Sequence, residues 1–128
     1  MQVNIPEVVA EVTDAHDRYN KAIDDGDVTA LNGFFKQAPQ TVRLGPGENL
    51  YGYDAIAGFR STKWAPAERR TLRADVTTYG RDFAVASILF DRPTTPGKIG
   101  RQMQTWARFP EGWRIVAAHV SMIDAPKG

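Results

Sequence analysis

The chain contains no cysteine, which excludes a disulfide framework, a thiolate nucleophile, an iron–sulfur cluster and a cysteine-ligated zinc site. It also lacks a surplus of charge of either sign, since 16 basic and 15 acidic residues leave a formal net charge of +1 with no block of like charges. Binding to nucleic acid or to an anionic membrane surface calls for a one-sided basic face, so neither partner is expected. No run reaches the ~18 apolar residues of a membrane span. Residues 1–6 carry neither a basic region nor an apolar stretch, so a cytoplasmic location is expected. The HExxH, GxSxG, Walker A and EF-hand signatures are all missing. Gly45-Pro46-Gly47-Glu48-Asn49-Leu50 begins like a dinucleotide fingerprint, but Leu50 stands where the third glycine belongs, and a tight turn between strand and helix accounts for it. The two histidines, His16 and His119, lie far apart in sequence. Brought together in a fold they would still lack an obvious carboxylate partner, which makes a poor metal site. No metal and no cofactor are expected.

What is present suffices for one domain over residues 1–128, because 42% of the residues are hydrophobic and a chain of this size hides about two-thirds of its unfolded surface. Val8, Val9, Val12, Ala15, Tyr19, Ala22 and Ile23 recur at three- and four-residue spacings, the pattern of an amphipathic helix. Asn4 and Pro6 suit its start and Gly26 its left-handed end. Asp27 is placed to cap a short second helix that buries Val28, Leu31, Phe34 and Phe35. Residues 41–44 read as a short strand closed by Gly45-Pro46-Gly47. A third helix presents Tyr53, Ile56, Phe59 and Arg60, and residues 61–69, which contain Pro66 and have no period, read as a loop. Four strand-like runs follow at 71–79, 82–90, 98–109 and 113–122, separated by turns short enough for antiparallel hairpins. This order predicts an α+β fold. Three helices pack on a strongly curved antiparallel sheet, and the face covered by the first helix encloses a cone-shaped cavity.

Polar residues at positions where periodicity predicts burial carry the functional information, because buried polar groups need partners. Tyr19 lies on the apolar stripe of helix 1, either as a core tyrosine with a satisfied hydroxyl or as a cavity group. Arg43 points opposite to Val42 and Leu44, an ordinary surface arginine if that face meets solvent and an anion clamp if it meets the cavity. Arg60 follows Ile56 by one turn, either snorkelling or contacting ligand. In the last two strands Gln102, Gln104, Trp106 and Arg108 share one face, and Ile115, Ala117, His119 and Ser121 another. For Gln104 and His119, a solvated or intersubunit surface and a pocket wall are both open. Glu48 and Asn49 suit either a turn or a pocket rim.

Several segments together resemble the AtzH-like family of the SnoaL-like, nuclear-transport-factor-2-like superfamily. They are Thr41-Val42-Arg43-Leu44-Gly45, Gly47-Glu48-Asn49-Leu50-Tyr51-Gly52, Phe59-Arg60, Thr77-Thr78-Tyr79-Gly80-Arg81-Asp82, Gly100-Arg101-Gln102, Gln104-Thr105-Trp106, and the eleven-residue stretch from Glu111 to Ser121. The resemblance implies the same α+β cone. It also implies an enzyme that removes one N-carboxylate from 1,3-dicarboxyurea to leave allophanate, functionally linked to an amidase in nitrogen-compound catabolism. A tyrosine of the first helix and an arginine of the first strand are implicated in that family's catalysis, and here they match Tyr19 and Arg43. With a small anionic substrate, Arg60, Gln104, His119 and Ser121 become candidates for binding it, and a homodimer is expected. A noncatalytic small-molecule-binding or amidase-associated domain is the alternative. Met103 departs from the serine common in the family, residues 92–98 form a longer turn than usual there, and residues 61–69 follow the family poorly.

Overall fold

The computed structural model describes residues 1–63 and 68–126. Helix α1 spans Pro6–Asp25 and α2 Val28–Gly33; strands β1 (Val42–Leu44) and β2 (Asn49–Tyr51) precede α3 (Tyr53–Lys63); strands β3 (Arg70–Tyr79), β4 (Phe83–Asp91), β5 (Lys98–Phe109) and β6 (Gly112–Asp124) complete the chain. Proline at the first turn of α1 and Gly26 at φ 66° bound that helix as expected. The Asp27 carboxylate accepts from the Ala30 amide at 3.1 Å and caps α2. Asn4 does not cap α1. It adopts φ 60°, its amide donates to the Thr78 carbonyl, and its side-chain oxygen accepts from the Thr78 amide, so it ties the amino terminus to β3.

The strands form one sheet in the order β2-β1-β6-β5-β4-β3. Every pairing is antiparallel except β1 with β6, which run parallel. The sheet is therefore mixed rather than wholly antiparallel. The cause is topological: α3 and four strands separate β1 from β6, and so long a connection leaves either direction open, whereas a hairpin forces antiparallel pairing. Strand β2, read in the sequence as a turn, is three residues long and carries too short a pattern to reveal a period. Helix α3 continues through residues 61–63, which the sequence assigned to a loop; residues 64–67 of that loop lie outside the described residues.

The core sits between the helices and the concave face of the sheet. Val8, Val12, Ala15, Tyr19 and Ile23 of α1 pack with Leu31, Phe35 and Ile56 against Ala84, Ala86, Trp106, Ile115 and Ala118. A smaller cluster of Ile88, Phe90 and Val120 fills the other end of the same face. Gly100 makes room for Phe90, because a Cβ at residue 100 would lie 2.1 Å from the Phe90 ring.

One irregularity in β6 decides which side chains face inward. Thr105 pairs with Ala117, but Trp106 pairs with Ile115, so Val116 is an extra residue, a β-bulge. Trp113 and Ile115 are buried before it, and Ala118 and Val120 after it. Strict alternation would have kept Ile115, Ala117, His119 and Ser121 on one face; the bulge shifts the phase by one and turns the last three outward.

Candidate active site

The concave face gathers the polar residues that periodicity placed inside. Tyr19, on the fourth turn of α1, is 2% exposed. Its ring meets Phe34, Phe35 and Trp106 edge-on, at centroid distances of 5.7, 6.2 and 6.5 Å, an arrangement that favours the aromatic quadrupoles. Its hydroxyl oxygen accepts from Arg60 Nη2 at 3.4 Å, a long contact. Arg60 is 1% exposed and lies over the Phe35 ring at 4.6 Å. Burial is the main force holding its guanidinium below the usual arginine range; Tyr19 opposes that shift and the nearby Arg43 adds to it. The arginine is thus close to both Tyr19 and Arg43.

Arg43 is buried on the inward face of β1, where it pairs in register with Ala118. Thr41 anchors the start of that strand by donating its hydroxyl to the Lys36 carbonyl at 2.7 Å. The Arg43 guanidinium donates to Glu48 Oε1 at 2.7 Å, and Glu48 Oε2 accepts from the Gly47 amide at 3.2 Å. Glu48 therefore belongs to the rim of the site. The pair folds over Gly45, where a Cβ would lie 1.8 Å from Glu48 Oε1, so this glycine serves close approach. Gln104 is buried beside Ala86 and Ala118. Its carbonyl oxygen accepts from Trp106 Nε1 at 3.1 Å, while its Nε2 has no acceptor among the described residues.

Tyr19, Arg43, Arg60 and Gln104 are thus drawn to one interior, and two other candidates are not. His119 is exposed on the convex face. Ser121 lies there too, its hydroxyl accepting from Arg101 Nε and Nη2 at 3.2 and 3.0 Å. Both were misplaced because the bulge at Val116 reverses the phase that alternation assigned them. His16 is buried on α1, so the two histidines sit on opposite sides of the sheet. Met103 is 55% exposed and pairs with His119 on the convex face; the thioether does not line this site.

Three residues were not singled out from the sequence. Arg69 donates to Asn20 Oδ1 at 3.0 Å and to Gln102 Oε1 at 3.5 Å, and its guanidinium lies over Phe90 at 4.9 Å. Arg92 lies over the same ring at 5.2 Å. Gln102 shares the strand face of Gln104, and that spacing of two was the available signal. Arg69 falls in a stretch without period and Arg92 in a turn, where no phase assigns a direction.

Among the described residues no helix is long and apolar enough to cross a membrane. The AtzH-like family model matches residues 1–126. No curated protein matches. A protein of unknown function from Pectobacterium atrosepticum, of the DUF3225 family, is 50% identical over 95% of each chain with a TM-score of 0.91. A cystatin-like fold protein from Burkholderia xenovorans is 46% identical over 98% of this chain and 99% of its own, with a TM-score of 0.93. A nuclear-transport-factor-2-like superfamily protein from Salmonella enterica is 29% identical over 95% and 94%, with a TM-score of 0.74. The helix-covered sheet and the full-length match fit a small enzyme-like domain of the nuclear-transport-factor-2-like fold, and this chain belongs to the AtzH-like family.

Proposed function

We propose that the protein is a cofactor-free enzyme that removes an N-carboxylate from a carboxylated urea, of the 1,3-dicarboxyurea to allophanate type, and so acts in nitrogen-compound catabolism. The observation that carries this reading is the buried Tyr19 hydroxyl beside two buried guanidiniums, Arg60 in contact and Arg43 close by. Loss of carbon dioxide from R–NH–COO⁻ breaks the carbon–nitrogen bond, and the electron pair stays on nitrogen, which takes up one proton. The products are R–NH₂ and CO₂. The protein therefore has to hold a carboxylate and deliver a proton.

Arg43 holds the departing carboxylate through its planar fork, with Glu48 fixing one nitrogen of that fork. Tyr19 accepts a hydrogen bond from Arg60, which leaves its own O–H free to donate to the leaving nitrogen, directly or through an intervening water that then resupplies the proton. Arg60 and Gln104 bind the urea oxygen of the substrate, the guanidinium and the Gln104 amide both being donors to oxygen. The substrate is a small anion, supplied or consumed in sequence with an amidase.

Carbon dioxide release from dicarboxyurea generated by a coupled amidase tests this. Tyr19→Phe and Arg43→Lys are expected to lower the rate about 10²–10⁴-fold, with circular dichroism unchanged. Full activity in both variants rejects the assignment, and binding without release by the native protein identifies a binding domain instead.

We further propose that a second copy of the chain covers the convex face. There Val42, Leu44, Val85, Met103, Thr105, Ala117 and His119 line one shallow depression, with no acidic or permanently cationic side chain among them. Light scattering is expected to give the mass of two chains; a one-chain mass across the concentration range removes the dimer.

A further inference from the structure

Arg69 raises a question of charge balance that the first site leaves open. Its side chain is 4% exposed, and a buried guanidinium is costly unless it is paired and hydrogen-bonded. Two of its partners, Asn20 and Gln102, are neutral. The nearest carboxylate, Asp24, is 3.8 Å from Nε, too far for a hydrogen bond, and about half of that side chain is exposed. Arg69 Nε consequently has no acceptor among the described residues.

The surroundings repeat the pattern. Gln102 is 3% exposed; its carbonyl oxygen faces Arg69, and its Nε2 has no acceptor among the described residues. Arg92, over the other reach of the Phe90 ring, has a buried Nε in the same condition. A donor buried without an acceptor is destabilising, and three on neighbouring side chains define a place for a group that only accepts. A carboxylate is such a group.

Electrostatics extend the cluster to the first site. Arg92 lies close enough to Arg43 and to Arg69 for like charges to be felt, and Arg69 close enough to Tyr19. With Arg60 at the Tyr19 hydroxyl and Arg69 at Asn20, the next residue of α1, the four guanidiniums are neighbours. Two carboxylates accompany them: Glu48, committed to Arg43, and the distant Asp24. An anion at Arg43 would leave the Arg69 end still positive.

We propose that Arg69, Gln102 and Arg92 form a second anion subsite in the interior that holds Tyr19 and Arg43, and that the ligand is a dianion with a carboxylate at each end. This rests on the reading of Tyr19 and Arg43 as the first end. Arg69 and Gln102 clasp the carboxylate that is retained while the other departs, and Phe90 is the platform that keeps the Arg69 plane in place.

Calorimetric titration with glutarate, whose carboxylates are separated by three atoms as in a dicarboxylated urea, and with acetate tests the subsite without any turnover. The native protein is expected to bind glutarate about tenfold or more tightly than acetate. Gln102→Glu places a carboxylate against Arg69 without emptying the interior. It is expected to bring glutarate down to the acetate level and leave acetate binding unchanged, and Arg69→Met, if its melting curve shows it folded, to do the same. Equal binding of the two probes by the native protein, or a native ratio in Gln102→Glu, overturns the subsite. The two readings fail separately: equal binding of glutarate and acetate by a native protein that still releases CO₂ rejects the subsite alone, and a native preference for glutarate without CO₂ release rejects decarboxylation alone.

Discussion

The two faces of the sheet carry similar polar side chains under opposite conditions. On the convex face Arg73 meets Asp75 at 2.7 Å with both side chains more than half exposed, and Arg101 meets Ser121 in solvent. Such pairs contribute little to stability, because water competes for both partners. On the concave face Gln102, Gln104 and Arg43 are buried, where removing one member of a buried charged pair costs about 3–5 kcal/mol. The comparison teaches where function resides. A surface tolerates polar groups at little cost, whereas an interior that retains donors without acceptors is organised around something that supplies them.

The sharpest way to break this contrast is through packing on the concave side. Gly100→Ala sets a methyl 2.1 Å from the Phe90 ring, which is fully buried between Arg69 and Arg92. Overpacking of this kind costs about 1–3 kcal/mol, read as a lower urea midpoint at unchanged slope. Gly47→Ala, with nothing within 4 Å of the added carbon, is expected to stay within about 0.5 kcal/mol of native. Combining Gly100→Ala with Phe90→Leu is expected to cost less than the sum of the two single changes. Additivity would show that the ring and the glycine are not coupled.

A second probe uses His16, buried on the same helical face as Tyr19. Desolvation is the main cause that lowers its pKa from the ordinary 6.5, with Arg69 adding to the shift and Asp17 opposing it. The folded protein therefore keeps His16 neutral where the unfolded chain begins to bind a proton. The contribution is fully present above about pH 6.5 and is lost as pH falls through that value towards the lower folded pKa, by at most about 1.4 kcal/mol per pH unit. Urea unfolding at pH 7.5 and 5.5 should show this loss, and His16→Gln should flatten it; an equal slope in the variant would assign the acid sensitivity to other groups.

The parts of this organisation that were legible in sequence are those with local signals. Gly26 and Asp27 mark the end of one helix and the cap of the next, and both act as their chemistry requires. Helix period put Tyr19 and Arg60 on buried stripes, whereas strand alternation left Arg43 and Gln104 open between solvent and cavity until the sheet placed them inside. What escaped depended on the partner strand. The Val116 bulge exists only in the pairing of β6 with β5, so nothing in the alternation of residues 113–122 announced that His119 and Ser121 would face out. The parallel direction of β1 is likewise a property of the sheet, and Arg69 acquires its role from Asn20 and Gln102, distant in sequence.

The mildest perturbation belongs to the convex face. Met103→Asp introduces a charge at a side chain 55% exposed, between Ser87 and His119 of the flanking strands. In a single chain that position is solvated, so fold stability should shift by no more than about 0.5 kcal/mol. In a dimer closed over this face two such carboxylates would be brought together and stripped of water, which opposes association. Light scattering should then show the two-chain mass of the native protein reduced to one chain in Met103→Asp, with glutarate binding by each chain unaltered because Gln102 and Gln104 point the other way. A variant that remains a dimer would place the second copy elsewhere and leave the convex face a solvent surface, which would strengthen the contrast with the concave one.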